Sequence, residues 1–252
     1  MKIAIITDLH IDAPGNFPLG LDTRAQFLET LDHAADSGCE ALILGGDLCH
    51  KTGDRDIYSW VKNEVYKKFD LVYAVPGNHD DPVLMAEIFG TTNDLHETEL
   101  YTSHLLGGIE FLFSDTSSGY MSESQWSWLF EKAKKQHTDV FIIMHHPPVL
   151  VGSKHMEPKY QFNQMSKAAE LFKEFNSKQF HVFCGHYHLD RTVVSSNMHL
   201  YLTPSTFVQI HPQYSDFVRG SDFIGYREII VGEGPGYCTE TLITGSIIPV
   251  GV

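Results

Sequence analysis

Five stretches of the sequence carry side chains that can bind metal ions, and each follows an apolar run. They are Asp8-Leu9-His10, Asp47, Asn78-His79-Asp80, His145-His146 and His186-Tyr187-His188. One such motif alone is more often incidental than a ligand pair, but five in order, each after an apolar run, indicate a shared site. Imidazole nitrogens, carboxylates and an amide oxygen without thiolates suit Mn, Fe, Zn or Co better than Ca or Cu(I). The sequence therefore predicts a metal centre.

The apolar runs predict strands, and the stretches between them predict helices. The predicted strands cover 3–7, 41–44, 71–75, 109–113, 139–144 and 181–184, and the predicted helices cover 23–38, 122–136 with Ser122 as N-cap, and 166–177. Strands that alternate with helices favour an α/β layer structure. Ligand sites in such sheets form beyond the strand ends, where neighbouring strands deliver side chains to one place.

Local spacing adds two expectations about the backbone at this site. Asp8 and His10, like His186 and His188, are two residues apart, which predicts that each pair points to one side of an extended segment. Glycines at 45, 46, 77 and 185 would allow tight turns and close approach of the backbone.

Composition limits the classes of partner. The chain has 252 residues, 18 Lys+Arg against 32 Asp+Glu and a formal net charge of -14, which disfavours nucleic-acid polymers and anionic membranes as main partners. The length and the absence of a convincing linker predict one domain, residues 1–252. Four cysteines without a C-x-x-C pair, a start too polar for a signal peptide and no long apolar run predict a cytoplasmic location.

The motifs D-x-H, G-D, G-N-H-D, H and G-H-x-H, spanning positions 8 to 188, together resemble the calcineurin-like metallophosphoesterase superfamily. The resemblance implies a four-layer α-β-β-α sandwich, with two central mixed β-sheets flanked by helices and a two-metal site at the strand ends. "FIIMHHPPVLVGSKHMEP" and "TPSTFVQIHPQYSDF" are similar to the branch of class III cyclic-nucleotide phosphodiesterases and bacterial glycerophosphodiesterases.

The resemblance also implies a role for each motif residue. One metal ion would be bound by Asp8, His10, Asp47 and His188, and the other by Asp47, Asn78, His145 and His186. Asp47 would bridge the two ions. His79 and its neighbour Asn78 would be the catalytic residues: His79 would contact the phosphate and protonate the leaving group, and Asp80 would orient His79.

These ligands fit a hydrolase of small phosphate esters. Two divalent ions exceed the charge of two aspartates, so the pocket would be locally positive and attract a phosphate ester. Ions roughly 3.5–4 Å apart can hold a hydroxide at neutral pH and orient a phosphoryl oxygen for attack. The expected function is a phosphodiesterase for cyclic nucleotides or glycerophosphodiesters, with two Mn, Fe or Zn ions.

Several alternatives remain at this stage. The site could prefer phosphomonoesters or accept many esters, and the same fold can serve as a binding scaffold where ligands are lost. His50 and His146 could line the pocket or support it from behind, and the tail 246–252 could form an edge strand or a subunit contact in a homo-oligomer. Asp115 is expected to cap a loop, and Cys49, Cys184 and Trp126 are expected to pack in the interior.

Overall fold

Within residues 1–232 and 236–250, which the computed structural model describes, the chain forms thirteen strands and six α-helices. In chain order these are β1 (Lys2–Ile6), α1 (Thr23–Asp36), β2 (Ala41–Leu44), α2 (Arg55–Val65), β3 (Leu71–Ala74), α3 (Pro82–Phe89), β4 (Leu95–His96), β5 (Glu99–Leu100), β6 (Thr102–Leu106), β7 (Ile109–Ser114), α4 (Glu123–Lys135), β8 (Asp139–Met144), α5 (Glu157–Tyr160), α6 (Met165–Glu174), β9 (Gln179–Cys184), β10 (Arg191–Ser195), β11 (Met198–Leu202), β12 (Phe223–Val231) and β13 (Tyr237–Ser246). All six strands and three helices predicted from sequence are present; β2 and β8 have the predicted ends, and the ends of the other elements differ from the prediction by one to three residues.

The strands form two mixed sheets, and a short hairpin pairs β4 with β5. The first sheet has the order β13-β12-β1-β2-β3, and the second has the order β10-β11-β9-β8-β7-β6. In the first sheet β1, β2 and β3 run parallel, and β12 joins β1 antiparallel. In the second sheet β7, β8, β9 and β11 run parallel, with antiparallel strands at both edges.

Three buried clusters produce the four layers. Alternate strand residues of both sheets, such as Ile5, Ile43, Phe111 and Phe183, pack against each other between the sheets. The opposite face of the first sheet packs under α1, α2 and α3. The opposite face of the second sheet packs under α4 and α6, where Trp126 is buried as expected. The predicted α-β-β-α sandwich is confirmed.

Side-chain caps set several helix boundaries. The Ser122 hydroxyl accepts a hydrogen bond from the backbone N–H of Gln125 at 3.1 Å, which confirms the predicted N-cap of α4. The predicted helix 166–177 ends earlier, at Glu174, and the physical reason lies in Asn197. Its amide donates to the carbonyls of Phe172 and Phe175, so these groups are satisfied without a further helical turn.

The chain after β13 folds back on the segment that precedes α1. The Asp22 N–H donates to the carbonyl of Ile248, and the Val250 N–H donates to the carbonyl of Gly20, both within 3.0 Å. The predicted tail 246–252 thus has only its first residue in an edge strand, and its residues 251–252 lie outside the described part. Of the helices in the described ranges, none has the length and apolar character needed to cross a bilayer.

Candidate metal centre

Five strands deliver the candidate residues to one place. Asp8 follows β1, Asp47 follows β2 and His79 follows β3, all at the carboxyl ends of parallel strands in the first sheet. His145 follows β8 and His186 follows β9 at the corresponding ends in the second sheet. Because the two sheets stack face to face, both rows of strand ends open onto the same cleft. The predicted location of the site at the strand ends agrees with this arrangement.

The backbone at the site differs from the expected extended segments. Asp8, His10, Asp47, His186 and His188 all have positive φ, between 46° and 68°, in the left-handed region. A non-glycine residue there is strained, and such residues gather at functional sites where surrounding contacts impose the conformation. The expectation of an extended D-x-H and H-x-H was wrong. In each pair, both residues have left-handed backbone and the residue between them, Leu9 or Tyr187, is buried in the core. Both side chains of a pair still reach the same site.

Candidate ligand atoms gather in three groups, two of which contain Asp47. Asp8, His10 and His188 form one group, Asp47, His145 and His186 form a second, and His10, Asp47 and His79 form a third, with the ligand atoms of each group within 4.8 Å of one another. Asp47 Oδ2 lies 3.7 Å from His10 Nε2 and 3.4 Å from His145 Nε2, between the first two groups. Asp8 Oδ1 lies 3.4 Å from His188 Nε2.

Hydrogen bonds behind the rings leave one nitrogen of each free for a metal ion. His145 Nδ1 donates to the carbonyl of Gly45 at 2.8 Å, and His188 Nδ1 donates to the carbonyl of Val208 at 2.8 Å. A carbonyl can only accept, so in the neutral form of both rings the lone pair is on Nε2. The buried His145 Nε2 has no hydrogen-bond partner, and His10 Nε2 faces His188 Nε2 at 3.0 Å. Buried lone pairs that face one another fit a cation between them.

The charges at the site also fit cations. Burial raises the pKa of Asp47, but the nearby His145, His10 and His79 together outweigh burial and hold the pKa of this carboxyl well below its usual value. Burial lowers the pKa of His10 to about 3 and that of His186 to about 4, so both rings are neutral at pH 7. Burial also acts against a charged His145, yet Asp47 raises its pKa to about 9. Binding of a metal ion would therefore displace a proton from His145.

Two glycines permit the tight packing of these loops, as predicted. A Cβ atom on Gly77 would collide with the backbone and carboxylate of Asp47. A Cβ atom on Gly185 would collide with the Thr7 hydroxyl and lie 2.6 Å from Asp8 Oδ2. Side chains at these two positions would thus displace the aspartates that face the imidazoles.

Asp80 has a different position from the one expected. The His79 ring is held by the carbonyl of Lys51, which lies 3.0 Å from His79 Nδ1. Asp80 instead accepts from the backbone N–H groups of Leu48 and Gly77 and from the Tyr58 hydroxyl, at 2.9–3.1 Å. Asp80 therefore joins the loops after β2 and β3 and does not orient the His79 ring.

Replacing Asp80 by alanine should lower the free energy of unfolding by about 3 kcal/mol, because several donors lose their buried acceptor. Urea denaturation measures this change. Exposed Asp70 offers a matched control, and its alanine variant should stay within about 0.5 kcal/mol of the parent. Equal stability of the Asp80 and Asp70 variants would contradict the role given to Asp80.

The cleft above the cluster has walls that the motifs did not predict. It contains Asn78 and His79 at one rim, and its walls include His155, Met156, Tyr160, Phe207 and Ile210. Sequence reasoning missed these five residues because none belongs to a recurrent motif. For four of them the available signal was their place in the two segments that resemble the phosphodiesterase branch, whereas Tyr160 lies two residues beyond the first segment.

The structure also shows where the remaining candidate residues lie, including His50 and His146, for which the sequence allowed two positions. His50 lines the cleft with its ring 5.9 Å from that of His10, whereas His146 is buried behind His186 and bonds the Thr116 hydroxyl at 3.0 Å. Asp115 caps its loop as predicted, accepting from the N–H groups of Leu100 and Ser117. Cys49 and Cys184 are buried, also as predicted.

Comparison with known proteins identifies the family. The profile of the calcineurin-like phosphoesterases matches residues 1–190. The chain belongs to this family. The predicted enzyme class, a metal-dependent phosphoric ester hydrolase, is confirmed at the level of the family, which implies divalent metal ions.

Relatives and a solved structure support the same placement. A probable cyclic nucleotide phosphodiesterase of Fibrobacter succinogenes is 32% identical over 92% of this chain and 90% of its own length. A probable glycerophosphodiester phosphodiesterase of Arcobacter nitrofigilis is 25% identical over 75% of this chain and 72% of its own. A dimetal phosphatase from Danio rerio has the same fold, with a TM-score of 0.63, 13% identity and coverage of 97% and 98% of the two chains. The branch predicted from the sequence is the branch of these relatives.

Proposed function

We propose that this protein is a phosphodiesterase that hydrolyses small phosphodiesters with the help of two metal ions. The observation that carries the proposal is the position of the Asp47 carboxylate, within reach of two groups of imidazoles at once. One group of imidazoles would be enough for a single ion, so two groups on either side of Asp47 indicate two ions. The relatives named for cyclic nucleotides and glycerophosphodiesters support diesters over monoesters as substrates.

The proposed ligand sets extend two of the groups, with Asp47 added to the first and the Asn78 amide added to the second. Asp8, His10, Asp47 and His188 would hold one ion, and Asp47, Asn78, His145 and His186 would hold the other. The exposed Asn78 lies at the rim of the cleft that contains these side chains. When bound, Mn, Fe or Zn ions would supply Lewis-acid polarisation of the phosphoryl group and a nucleophile at neutral pH.

The residues of the chain have separate tasks in this proposal. His79 Nδ1 donates its proton to the carbonyl of Lys51, which leaves Nε2 as the atom that faces the substrate. A second proton on Nε2 could pass to the leaving oxygen of the ester. The backbone N–H of His79 donates to Asp47 Oδ1 at 2.9 Å, so the loop that carries His79 is fixed relative to Asp47.

We also propose that residues 1–252 form one domain, since buried side chains of both sheets meet in one cluster. A cytoplasmic location is consistent with four free cysteines. Assembly into a homo-oligomer stays a prediction.

The test is hydrolysis by metal-free protein reloaded with Mn²⁺, using paired chromogenic monoesters and diesters of phosphate, with metal analysis of the same sample. We expect about two ions per chain and faster hydrolysis of the diester. Faster hydrolysis of the monoester would replace the proposal by a phosphomonoesterase. Two bound ions without turnover of either ester would refute the proposed chemistry while leaving the metal site in place.

A further inference from the structure

A short segment of the chain, residues 205–210, lies behind the metal centre and holds two of the candidate ligands. We call it the support segment. The Ser205 hydroxyl donates to the carbonyl of Asp8 at 2.9 Å, and His188 Nδ1 donates to the carbonyl of Val208 at 2.8 Å. Asp8 Oδ1 and His188 Nε2 face each other at 3.4 Å. A shift of the support segment would therefore change the spacing between these two ligand atoms.

The side chain of Gln26, on α1, ties the support segment to the rest of the protein. Its Nε2 donates to the carbonyls of Thr206 and Phe207, at 2.7 Å and 2.9 Å. Its Oε1 accepts from the N–H of Ile248 at 2.7 Å. Both hydrogens of the amide and its oxygen are thus used. Because Gln26 is fully buried, water cannot replace a bond that is lost there.

Residues 247–250 of the C-terminal tail complete this arrangement. The half-buried Ile247 packs against a small buried cluster formed by Leu21, Phe207 and Val208. The neighbouring Ile248 donates to the Gln26 amide, so the tail and the support segment meet at one side chain. The contacts run in series from the tail through Gln26 and the support segment to His188.

We infer that Gln26 is a positioning residue for the metal centre, which fixes the support segment so that Asp8 and His188 keep the spacing that an ion requires. The inference rests on the proposed function for one set of ligands, which we call the Asp8 site: Asp8, His10, Asp47 and His188. Groups that orient a metal ligand change metal affinity by about 10- to 100-fold. Gln26 acts on His188 through the support segment, so we expect the lower end of this range.

The test replaces Gln26 by glutamate, which has the same shape but, as a carboxylate, no N–H group. The carboxylate repels the carbonyls of Thr206 and Phe207, so the support segment should move. Calorimetric titration of metal-free Gln26→Glu protein with Mn²⁺ should show one ion bound as in the parent and the other bound about tenfold more weakly. Parental affinity for both ions would overturn the inference.

Two further measurements assign the effect to the Asp8 site. Neighbouring Mn²⁺ ions couple magnetically, so the paramagnetic resonance spectrum of Gln26→Glu should show less of the coupled signal than the parent at the same metal concentration. In a His145→Ala background only the Asp8 site keeps all its ligands, and Gln26→Glu should weaken its ion by about tenfold there too. Equal affinity with glutamine and glutamate in this background would contradict the positioning role.

Asn197 offers the matched control. It is also a buried amide whose Nδ2 donates to backbone carbonyls, those of Phe172, Phe175 and Lys178. It precedes β11, which runs parallel to β9, so it lies at the end of the second sheet opposite to the metal centre. Asn197→Asp should destabilise the fold as Gln26→Glu does, yet keep parental affinity for both Mn²⁺ ions. An equal loss of metal affinity in the two variants would reduce Gln26 to a structural residue.

Two substitutions at Ile248 test the part of the tail. Ile248→Pro removes the N–H that donates to Gln26, whereas Ile248→Ala keeps it; neither removes the bonds that Asp22 and Val250 make with the facing segment. The proline variant should bind one Mn²⁺ ion about threefold more weakly, and the alanine variant should match the parent. Equal affinities in both would exclude the tail from the inference.

Metal binding is measured here without any ester, which separates this inference from the proposed function. A parent protein that binds two Mn²⁺ ions but hydrolyses no diester would refute the proposed function. The loss of affinity in Gln26→Glu, without a loss in Asn197→Asp, would still support the positioning role.

Discussion

Replacing Asp47 by asparagine should lower kcat/KM for diesters by at least about a thousandfold, because Lewis-acid stabilisation of the transition state is worth several kcal/mol. Asp47 lies between both groups of imidazoles, so one substitution weakens both proposed metal sites. An asparagine keeps the shape but lacks the negative charge that balances two cations. Metal analysis should show fewer ions per chain than in the parent protein.

Asp115 provides a matched control for this substitution. It is also a buried aspartate directly after a strand, and burial raises its pKa to about 6, but it belongs to none of the groups of candidate ligands. Asp115→Asn should keep the metal content and kcat/KM, although the loss of an acceptor for Ser117 or Leu100 should reduce stability by about 1 kcal/mol. An Asp47→Asn protein with a full metal content and nearly parental activity would contradict the bridging role.

The fold and the candidate cluster could be predicted from sequence because each signal is local. β-branched runs mark the strands, Ser122 marks the start of α4, and Asp8, Asp47 and His145 each follow a strand within three residues. Parallel strands of stacked sheets then bring these residues together without further information. The order of the motifs along the chain also predicted the family, and the match to the family profile confirms that prediction.

Other features could not be predicted because they depend on contacts between distant segments. The left-handed backbone of Asp8 and His186 is imposed by neighbouring loops, through bonds such as that from the His186 N–H to the Asp8 carboxylate. Two of the donors to Asp80, Tyr58 and Leu48, lie 22 and 32 residues away in the chain. Phe207 reaches the cleft from a loop far along the chain, and no spacing rule connects it with His10.

His79 differs from its neighbours because it could act in two ways. Its ring lies 5.0 Å from that of His10, and one of its nitrogens is close enough to His10 and Asp47 to serve as a metal ligand. Yet it is only half-buried at the rim of the cleft, and the Lys51 carbonyl fixes its Nδ1. The rim position favours contact with the substrate, and the two roles predict different behaviour after substitution.

If His79 donates the proton to the leaving oxygen, His79→Ala should lower kcat for a diester with an alkyl leaving group by about a hundredfold or more, with metal content near that of the parent. A p-nitrophenyl leaving group departs without a proton, so hydrolysis of its diester should fall far less. Measuring both substrates and the metal content on one preparation separates the possibilities. Equal losses for both leaving groups at full metal content would mean that His79 positions the phosphate without protonating the leaving group. Loss of bound metal would make His79 a ligand, and unchanged hydrolysis of the alkyl diester would remove it from the chemistry.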